Sequence, residues 1–216
     1  MSLVEIQKSL PTTTKILAVS KLQSEDQIRA LYEKGQRSFG ENYVQELTKK
    51  MENLANLDIH WHFIGSLQKN KAKYIVGKVD LIHSVDSFEL AQALQKEAVK
   101  KNVIQNILIQ VNIAEEQTKS GIKLSEVKEL VEKIKALPNI KIKGLMTMPP
   151  LELDPEQARP YFRELRKLRD QLTSLSPELT ELSMGTSHDY SVAAEEGATW
   201  VRLGTILFGE RPRRLS

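Results

Sequence analysis

Residues 15–35 read KILAVSKLQSEDQIRALYEKG, and this stretch predicts one strand followed by one helix. Ile16 to Val19 form a short apolar run, which is typical of a strand that is buried on both faces. From Glu25 onward, apolar residues recur at helical spacing until Gly35 provides a stop signal. The same unit recurs along the chain, and this recurrence predicts the fold.

About eight strand-then-helix units follow one another in the 216 residues. After the first unit, the strand patterns are RSFGEN, HWHFIG, DLIHSVD, NILIQVN, IKGLMTM, ELSMG and TWVRLGT. The helical patterns between them cover residues 43–54, 69–76, 87–100, 125–137, 155–175 and 190–197. Strands flanked by helices predict a parallel sheet that is covered on both faces.

We therefore predict an α/β protein whose residues 1–216 form a single domain, a (β/α)8 TIM-type barrel. An open doubly wound sheet is the alternative. An open sheet of that many strands would be large for a chain of this length, so we favour the barrel.

The composition excludes several classes of protein. Hydrophobic residues make up 40% and charged residues 27%, as in a soluble globular protein. The net charge of +3 is spread over 31 basic and 28 acidic residues, which does not indicate a nucleic-acid partner. With no cysteine there is no disulfide and no thiolate nucleophile. The sequence shows no signal peptide or membrane span, so we expect a cytoplasmic protein that binds no membrane.

Lys21 ends the first predicted strand, and this position raises a question about function. Burying an ammonium group is costly unless the group is paired or loses its charge. Strands often end in water, so a solvated lysine is the simpler interpretation. In a (β/α)8 barrel, however, catalytic and ligand-binding residues lie where the strands end. Other residues must decide between these interpretations.

The loops after the last two predicted strands are suited to binding a phosphate. SMGTS at 183–187 and RLGT at 202–205 offer glycine amides and hydroxyl groups, and a predicted helix begins just after Ser187. Such loops also cap helices in many proteins. In a closed barrel the first and last strands are neighbours, so Lys21 would face this phosphate site across the barrel mouth.

A lysine opposite a phosphate site indicates Schiff-base chemistry with a phosphorylated aldehyde or ketone. A partly desolvated amine has a lowered pKa and a lone pair with which to attack a carbonyl carbon. Pyridoxal phosphate is the leading candidate, because its ring nitrogen also needs a partner and Arg202 lies beside the proposed phosphate loop. A pyridoxal-phosphate-dependent racemase, and a cofactor-free aldolase or lyase acting on a sugar phosphate, are the alternatives.

Two further residue patterns have simpler structural interpretations. His60 and His62 lie two apart on a strand and could share a metal ion, but no third ligand stands at a recognisable spacing. Hydrogen-bonded histidines on the barrel wall are favoured instead. Asn42 stands before a predicted helix and could cap it.

The motifs of the chain resemble those of a known family. They are AVSK, GQRSFGENYVQE, WHFIGSLQKNK, IQVNIAEEQTKSGI, KGLMTMP, LSMGTSHD and VRLGTILFG, in that order from Lys15 to Gly209. Together they resemble the pyridoxal-phosphate-binding, or pyridoxal-phosphate homeostasis, proteins, which look like a single-domain form of the alanine racemase barrel. The resemblance implies pyridoxal 5′-phosphate held as a Schiff base on Lys21. It also implies a role in balancing vitamin B6 and amino or keto acid pools.

The resemblance also implies roles for individual residues. Arg202 would face the pyridine nitrogen, and Asn42 and Met146 would lie near the ring. The phosphate would be held around Ser183, Gly185, Ser187, Gly204 and Thr205. No catalytic residue and no metal ligand is implied. Thr186 departs from the family, which usually has methionine there, and the basic tail ERPRRLS has no assigned role.

The same resemblance implies a binding protein and not an enzyme. Alanine racemases obtain a second acid/base residue from the partner subunit and complete substrate binding with an additional β domain. This chain ends at GERPRRLS, just after the predicted barrel. We expect a monomer without catalytic turnover, whose partners are the small-molecule cofactor and the apo-enzymes that receive it.

Overall fold

The computed structural model describes residues 2–115, 120–151 and 154–209 of the chain, so the tail ERPRRLS lies outside the described residues. The strands are β1 Lys15–Val19, β2 Ser38–Glu41, β3 His60–Phe63, β4 Leu81–Val85, β5 Gln105–Asn112, β6 Ile122–Lys123, β7 Ile140–Thr147, β8 Glu181–Thr186 and β9 Trp200–Leu203. The helices are α1 Leu3–Ser9, α2 Glu25–Glu33, α3 Val44–Asn53, α4 Ala72–Ile75, α5 Phe88–Lys101, α6 Val127–Lys135, α7 Arg159–Leu172, α8 Tyr190–Glu195 and α9 Thr205–Phe208.

The strands close into a parallel barrel. Their order is β4-β3-β2-β1-β9-β8-β7-β5, and a further pairing of β4 with β5 closes the ring, while the short β6 adds to the end of β5. The predicted (β/α)8 barrel is therefore confirmed. The first and last strands are neighbours, as expected, with Leu17 opposite Arg202. This register sets Arg202 deeper in the barrel than Lys21, which follows the end of β1.

The two faces of each strand pack against different groups of residues. Ile16 and Ala18 belong to the large core that the strands form with the surrounding helices. Leu17 and Val19 instead form a small cluster with Ile64 and Trp200. Since successive strand residues point to opposite faces, this small cluster fills the barrel interior. Lys21 follows Val19 by two residues and so continues the inward-facing row at the mouth.

The sequence missed or misplaced some short elements. The N-terminal helix α1 begins with a capping box, in which the side chains of Ser2 and Glu5 each form a hydrogen bond with the other residue's backbone amide. The motif Ser-x-x-Glu in SLVE could have predicted it. The helix predicted from residue 155 to 175 is a 3-10 turn at Pro155–Ala158 followed by α7. None of the helices in the described ranges is long and apolar enough to cross a membrane.

Candidate functional site

A cavity of about 430 Å³ opens where the barrel strands end. Its lining residues are Val19, Lys21, Asn42, Ile64, Met148, Leu151, Thr186, Ser187, His188, Arg202, Gly204 and Thr205. The cavity thus brings together the lysine after β1, the amide after β2 and the two loops after β8 and β9. Met146, Ser183 and Gly185 are buried nearby but do not line it.

Arg202 lines the cavity while its side chain is anchored in the barrel. Nη1 donates to the Ser183 hydroxyl at 2.8 Å, and Nη2 donates to the Thr147 carbonyl at 2.8 Å. Burial lowers the pKa of Arg202 to about 10, and the negative charge of Asp189 opposes this shift. The guanidinium therefore remains charged at neutral pH and can only donate hydrogen bonds.

Ser183 links Arg202 to two histidines inside the barrel. Its Oγ lies 2.9 Å from His83 Nδ1, and His83 Nε2 lies 2.9 Å from His62 Nδ1. Since the guanidinium can only donate, the Ser183 oxygen accepts from Arg202, and we infer that Ser183 gives its own hydrogen to His83 Nδ1. We infer that His83 carries its proton on Nε2 and donates to His62. We call Arg202, Ser183, His83 and His62 the histidine column.

The environment of the histidine column keeps both imidazoles neutral. Burial lowers the pKa of His62 to about 3, with smaller effects from His60 and Lys15. Burial also holds the pKa of His83 well below its usual value, and repulsion of a positive charge by His62, when that residue is protonated, and by Arg202 adds to this. The described residues contain no group of three or more metal-ligating side chains that could hold a metal ion. His62 is a column member, while His60 pairs with Asp80 at 2.7 Å.

The loop after β8 presents Ser187 to the cavity. Its hydroxyl oxygen accepts from the amide of Gly204 at 3.1 Å and from that of Ile206 at 3.5 Å, which directs its hydrogen away from these amides. Thr186, the predicted departure from the family pattern, donates its hydroxyl hydrogen to Asp189 at 3.0 Å. The helices α8 and α9 are only 6 and 4 residues long, so their N-termini contribute little positive potential.

Gly185 supports this loop from below. Its φ of +87° lies in the left-handed region, and a Cβ at this position would come within 2.5 Å of the Ala193 side chain. A glycine is required here because β8 and α8 approach closely, which is a structural role. Ser183 is likewise occupied with Arg202 and His83, and the buried Met146 packs with Leu81 and Leu108.

Asn42 enters the cavity from the end of β2. Gly65 packs so closely that a Cβ there would lie 2.0 Å from the Asn42 carbonyl oxygen. The expectation that Asn42 caps the next helix is wrong, because α3 begins at Val44 and has Tyr43 at its N-cap. The side-chain Oδ1 of Asn42 is buried and has no hydrogen-bond partner among the described residues. Buried polar groups are rarely left unpaired, and since Asn42 lines the cavity, a ligand bound there would account for this one.

The chain resembles proteins of known family along its whole length. It matches the alanine racemase N-terminal domain over residues 3–212. It is 54% identical over 198 residues to a pyridoxal phosphate homeostasis protein of Aquifex aeolicus, covering 91% of this chain and 87% of that protein. The corresponding Synechocystis protein is 44% identical over 211 residues, 96% of each chain.

The chain belongs to the pyridoxal phosphate homeostasis protein family. The resemblance inferred from the sequence motifs is confirmed by these identities.

Solved structures similar to this homeostasis protein share its barrel fold. PipY of Synechococcus elongatus, solved with pyridoxal phosphate bound, is 38% identical with a TM-score of 0.89, covering 96% of this chain and 98% of PipY. An alanine racemase of Clostridium difficile has a TM-score of 0.81 at 17% identity, covering 98% of this chain but 59% of the racemase. The racemase therefore shares the barrel fold, and at this identity it shows no more than that.

The cavity of this homeostasis protein fits the cofactor that its family name implies. Lys21 supplies an amine, Arg202 a charged donor, and Asn42 an amide group with an unused buried acceptor. Ser187 and Thr205 supply hydroxyl groups beside the amides of two loops. An aldehyde, a ring nitrogen and a phosphate each have a complementary group at this mouth.

Beyond the predicted loops and the residues expected to contact the cofactor, the cavity is also lined by Val19, Ile64, Met148, Leu151 and His188, to which the sequence analysis gave no role. Val19 could have been found, since it precedes Lys21 by two residues on the same strand face. Ile64 likewise follows His62 by two residues, which predicts that both side chains lie on the same face of the strand. His188 adjoins the predicted phosphate loop. Met148 and Leu151 are exposed loop residues with no periodic signal.

A second cavity, of about 520 Å³, shows that size alone does not identify the site. Its lining includes Asp86, Gly121, Glu126 and Lys133. Burial raises the pKa of Asp86. This cavity contains neither Lys21 nor the loops after β8 and β9, so it lacks the chemistry that the first cavity brings together.

Proposed function

We propose that the protein binds pyridoxal 5′-phosphate reversibly as a Schiff base on Lys21. We further propose that it acts in intracellular vitamin B6 and amino/keto acid homeostasis without catalytic turnover. The observation that carries the proposal is that Lys21, Arg202 and the loops after β8 and β9 share one cavity. Membership of the homeostasis family and the pyridoxal-phosphate-bound PipY support it.

Each part of the cavity has a role in this proposal. When bound, the cofactor supplies an aldehyde; the Lys21 amine adds to its carbon, a C=N bond forms and one water leaves. Ser187, Gly204 and Thr205 bind the phosphate through hydroxyl and amide hydrogens. Arg202 donates to the pyridine nitrogen, and Asn42 binds at the ring. Ser183, Gly185 and Met146 support these residues from the second layer.

The charge of Arg202 makes any turnover depend on further acid/base groups in the cavity. A guanidinium only donates hydrogen bonds, so it leaves the ring nitrogen that it faces unprotonated. An unprotonated ring is a weak electron sink, and turnover then depends on a well-placed acid/base pair. Such a group contributes roughly 10²–10⁴-fold to a rate. Besides Lys21 and Arg202, the titratable side chain among the described cavity residues is His188.

The proposed partners are the cofactor and the apo-enzymes that receive it. Release by an exchanging amine would deliver the cofactor to an apo-enzyme without turnover by this chain. We propose that the protein acts as a monomer in the cytoplasm, since one barrel supplies all the cavity groups named above.

The test of the Schiff base is the visible absorption band of the loaded protein. Lys21→Ala should fold normally, lose this band, and no longer retain the cofactor covalently after borohydride reduction. Peptide mass mapping of the reduced wild-type protein should locate the adduct on Lys21. The matched control is Lys69→Ala, an exposed lysine on the 3-10 turn before α4. A band that persists in Lys21→Ala would falsify the assignment.

The test of a carrier against a racemase is α-proton exchange in deuterated water. Amino acids should slowly displace the cofactor from Lys21, while exchange of their α-proton stays near the rate with free cofactor. Rapid deuterium incorporation that disappears in Lys21→Ala would establish an enzyme instead. If it also disappears in His188→Gln, then His188 is the second acid/base residue.

A further inference from the structure

The backbone around Lys21 is held in an unfavourable conformation. Ser20 to Gln23 form a tight turn in which the Gln23 amide donates to the Ser20 carbonyl at 3.0 Å. Leu22, at the third position of this turn, has a φ of +62°. Glycine adopts this region freely, whereas a residue with a Cβ does so at a cost. Leu22 is also 41% exposed, so burial of its own side chain explains little of this choice.

Two side chains of α3 hold the residues on either side of Lys21. The Glu46 carboxylate accepts the amide hydrogen of Leu22 at 2.6 Å. The Lys50 ammonium donates to the Ser20 carbonyl at 2.7 Å. Lys21 therefore lies between two peptide groups that are both fixed by the same helix.

The α3 residues are themselves fixed by a buried cluster of charges. Lys50 also donates to Glu46 at 2.6 Å and to Glu41 at 2.8 Å, so each hydrogen of its ammonium group has an acceptor. The Ser20 hydroxyl donates to the same Glu41 oxygen at 2.6 Å. The side chains of Lys50 and Glu41 are only 6% and 0% exposed.

Stability alone does not explain this arrangement. Well-packed apolar residues usually stabilise a fold as well as a buried ion pair does. Burial raises the pKa of Glu41, although Lys50 opposes the shift, so part of the desolvation cost persists. Glu41 Oε2 also lacks a hydrogen-bond partner among the described residues. What the cluster does provide is a fixed direction for the Ser20 and Leu22 peptide groups.

We propose that Glu46 and Lys50 are positioning residues that hold the strained Ser20–Gln23 turn and thereby aim the Lys21 amine into the cavity. This inference rests on the proposed function of Lys21. Backbone clamping at both neighbours reduces the orientations open to a long, flexible side chain, which favours its reaction with a carbonyl bound at a fixed place.

The test compares two ligands that differ only at the reacting carbon. Pyridoxal 5′-phosphate has an aldehyde, whereas pyridoxamine 5′-phosphate has an amine there and cannot condense with Lys21. Glu46→Ala should weaken binding of the aldehyde about ten-fold, the effect of losing one charge-assisted hydrogen bond. Binding of the amine should stay as in wild type. Affinities are measured by fluorescence titration, and the visible band reports Schiff-base formation.

The matched control is Glu129→Ala. Glu129 forms the same i,i+4 pair with a lysine, Lys133 at 2.6 Å, but on α6. Both substitutions put alanine on a helix, where it is well tolerated. The control variant should bind both ligands as wild type does. Should Glu46→Ala fail to fold, Glu46→Gln, which removes the charge and replaces one carboxylate oxygen with an NH2 group, is measured in the same way.

A second substitution tests the strain directly. A glycine at position 22 adopts the left-handed conformation without needing the hydrogen bond from the Leu22 amide to Glu46. In a Leu22→Gly background, Glu46→Ala should therefore weaken aldehyde binding by only about three-fold or less. A general loosening of the protein would not be corrected by a glycine.

The outcomes separate this inference from the proposed function. If Glu46→Ala weakens both ligands equally, or neither, the positioning role is wrong. If Leu22→Gly leaves the ten-fold loss intact, the strain is not what Glu46 controls and the inference is also overturned. If Lys21→Ala binds both ligands as wild type does, the proposed Schiff base on Lys21 is wrong, whatever Glu46 does.

Discussion

At the scale of single residues, the loop after β8 shows how the hydroxyl of Thr186, the predicted departure from the family pattern, is accommodated. Thr186 donates both its amide hydrogen, at 2.6 Å, and its hydroxyl hydrogen to the Asp189 carboxylate. The extra hydroxyl is thus satisfied within the loop. The neighbouring Ser187 instead accepts from two amides and keeps its own hydrogen for another acceptor.

The proposed phosphate site is tested at Ser187 and Thr205. Ser187→Ala and Thr205→Val should each weaken pyridoxal 5′-phosphate binding about ten-fold, because a hydrogen bond to a charged group contributes about 1.5–3 kcal/mol. Binding of pyridoxal, which has no phosphate, should change far less. The control is Ser191→Ala, an exposed serine on α8. Equal losses for both ligands would remove these loops from the phosphate site.

At the scale of secondary-structure elements, an ion cluster joins α7 to the end of α8. The Glu196 carboxylate contacts Arg159 at 3.1 Å, Arg163 at 2.9 Å and Arg166 at 3.2 Å. Its side chain is 5% exposed, while the arginines are partly in water. Since α8 directly follows the Ser187 loop, this cluster fixes one wall of the cavity.

Glu196 should therefore contribute more to the stability of the fold than Glu195 does. Glu196→Ala should lower the free energy of unfolding by about 1–3 kcal/mol, since it leaves several cations without their shared carboxylate. Glu195→Ala is the matched control, because Glu195 is 62% exposed and pairs with Arg159 alone in the described part of the chain. Its loss should stay below about 1 kcal/mol. Urea unfolding measures the free energy of unfolding of both variants. Similar losses of stability in the two would contradict the role of Glu196 as the shared partner of three arginines.

At the scale of the whole molecule, the barrel interior divides into apolar and polar parts. Two small apolar clusters, one around Leu17 and one around Leu81, fill it from different strands. The histidine column connects β3, β4, β8 and β9 through the same interior. Buried neutral histidines make the stability of the closed barrel depend on pH.

We expect the free energy of unfolding to fall as the pH drops from about 6.5 toward 3. An unfolded histidine takes up a proton near pH 6.5, whereas burial keeps His62 neutral down to about pH 3. The unfolded state then binds more protons, which lowers stability by about 1.4 kcal/mol per pH unit for each such histidine. Glu41, whose pKa burial raises, acts in the opposite direction.

The variant His62→Asn isolates the histidine contribution. Urea unfolding between pH 4 and 7 should show a shallower pH dependence in this variant than in wild type. Nitrogen NMR of the wild-type protein should find His83 protonated on Nε2 and not on Nδ1. If the free energy of unfolding depends on pH identically in the two proteins, or if His83 carries its proton on Nδ1, the proposed hydrogen bonds and protonation states of the histidine column are wrong.

Much of the fold and part of the site could be predicted from local patterns. The helical pattern predicted over residues 87–100 is α5, and Ser87 at its N-cap accepts from the Leu90 amide. Lys21, Asn42, Ser187, Arg202, Gly204 and Thr205 were expected together and line one cavity. The roles of Ser183 and Gly185 could not be predicted, because their partners His83 and Ala193 follow from strand register and helix packing.

The sequence by itself determined the alternation of strands and helices, the family and the residues that end each strand. These features depend on spacing along the chain, where apolar periodicity and short motifs carry the information. Only the tertiary structure decided that Lys50 holds the peptide before Lys21, and that two histidines reach Arg202 through Ser183. The physical reason is that hydrogen bonds and desolvation act between atoms close in space. The closure of the barrel brings together residues as far apart in the chain as His83 and Ser183.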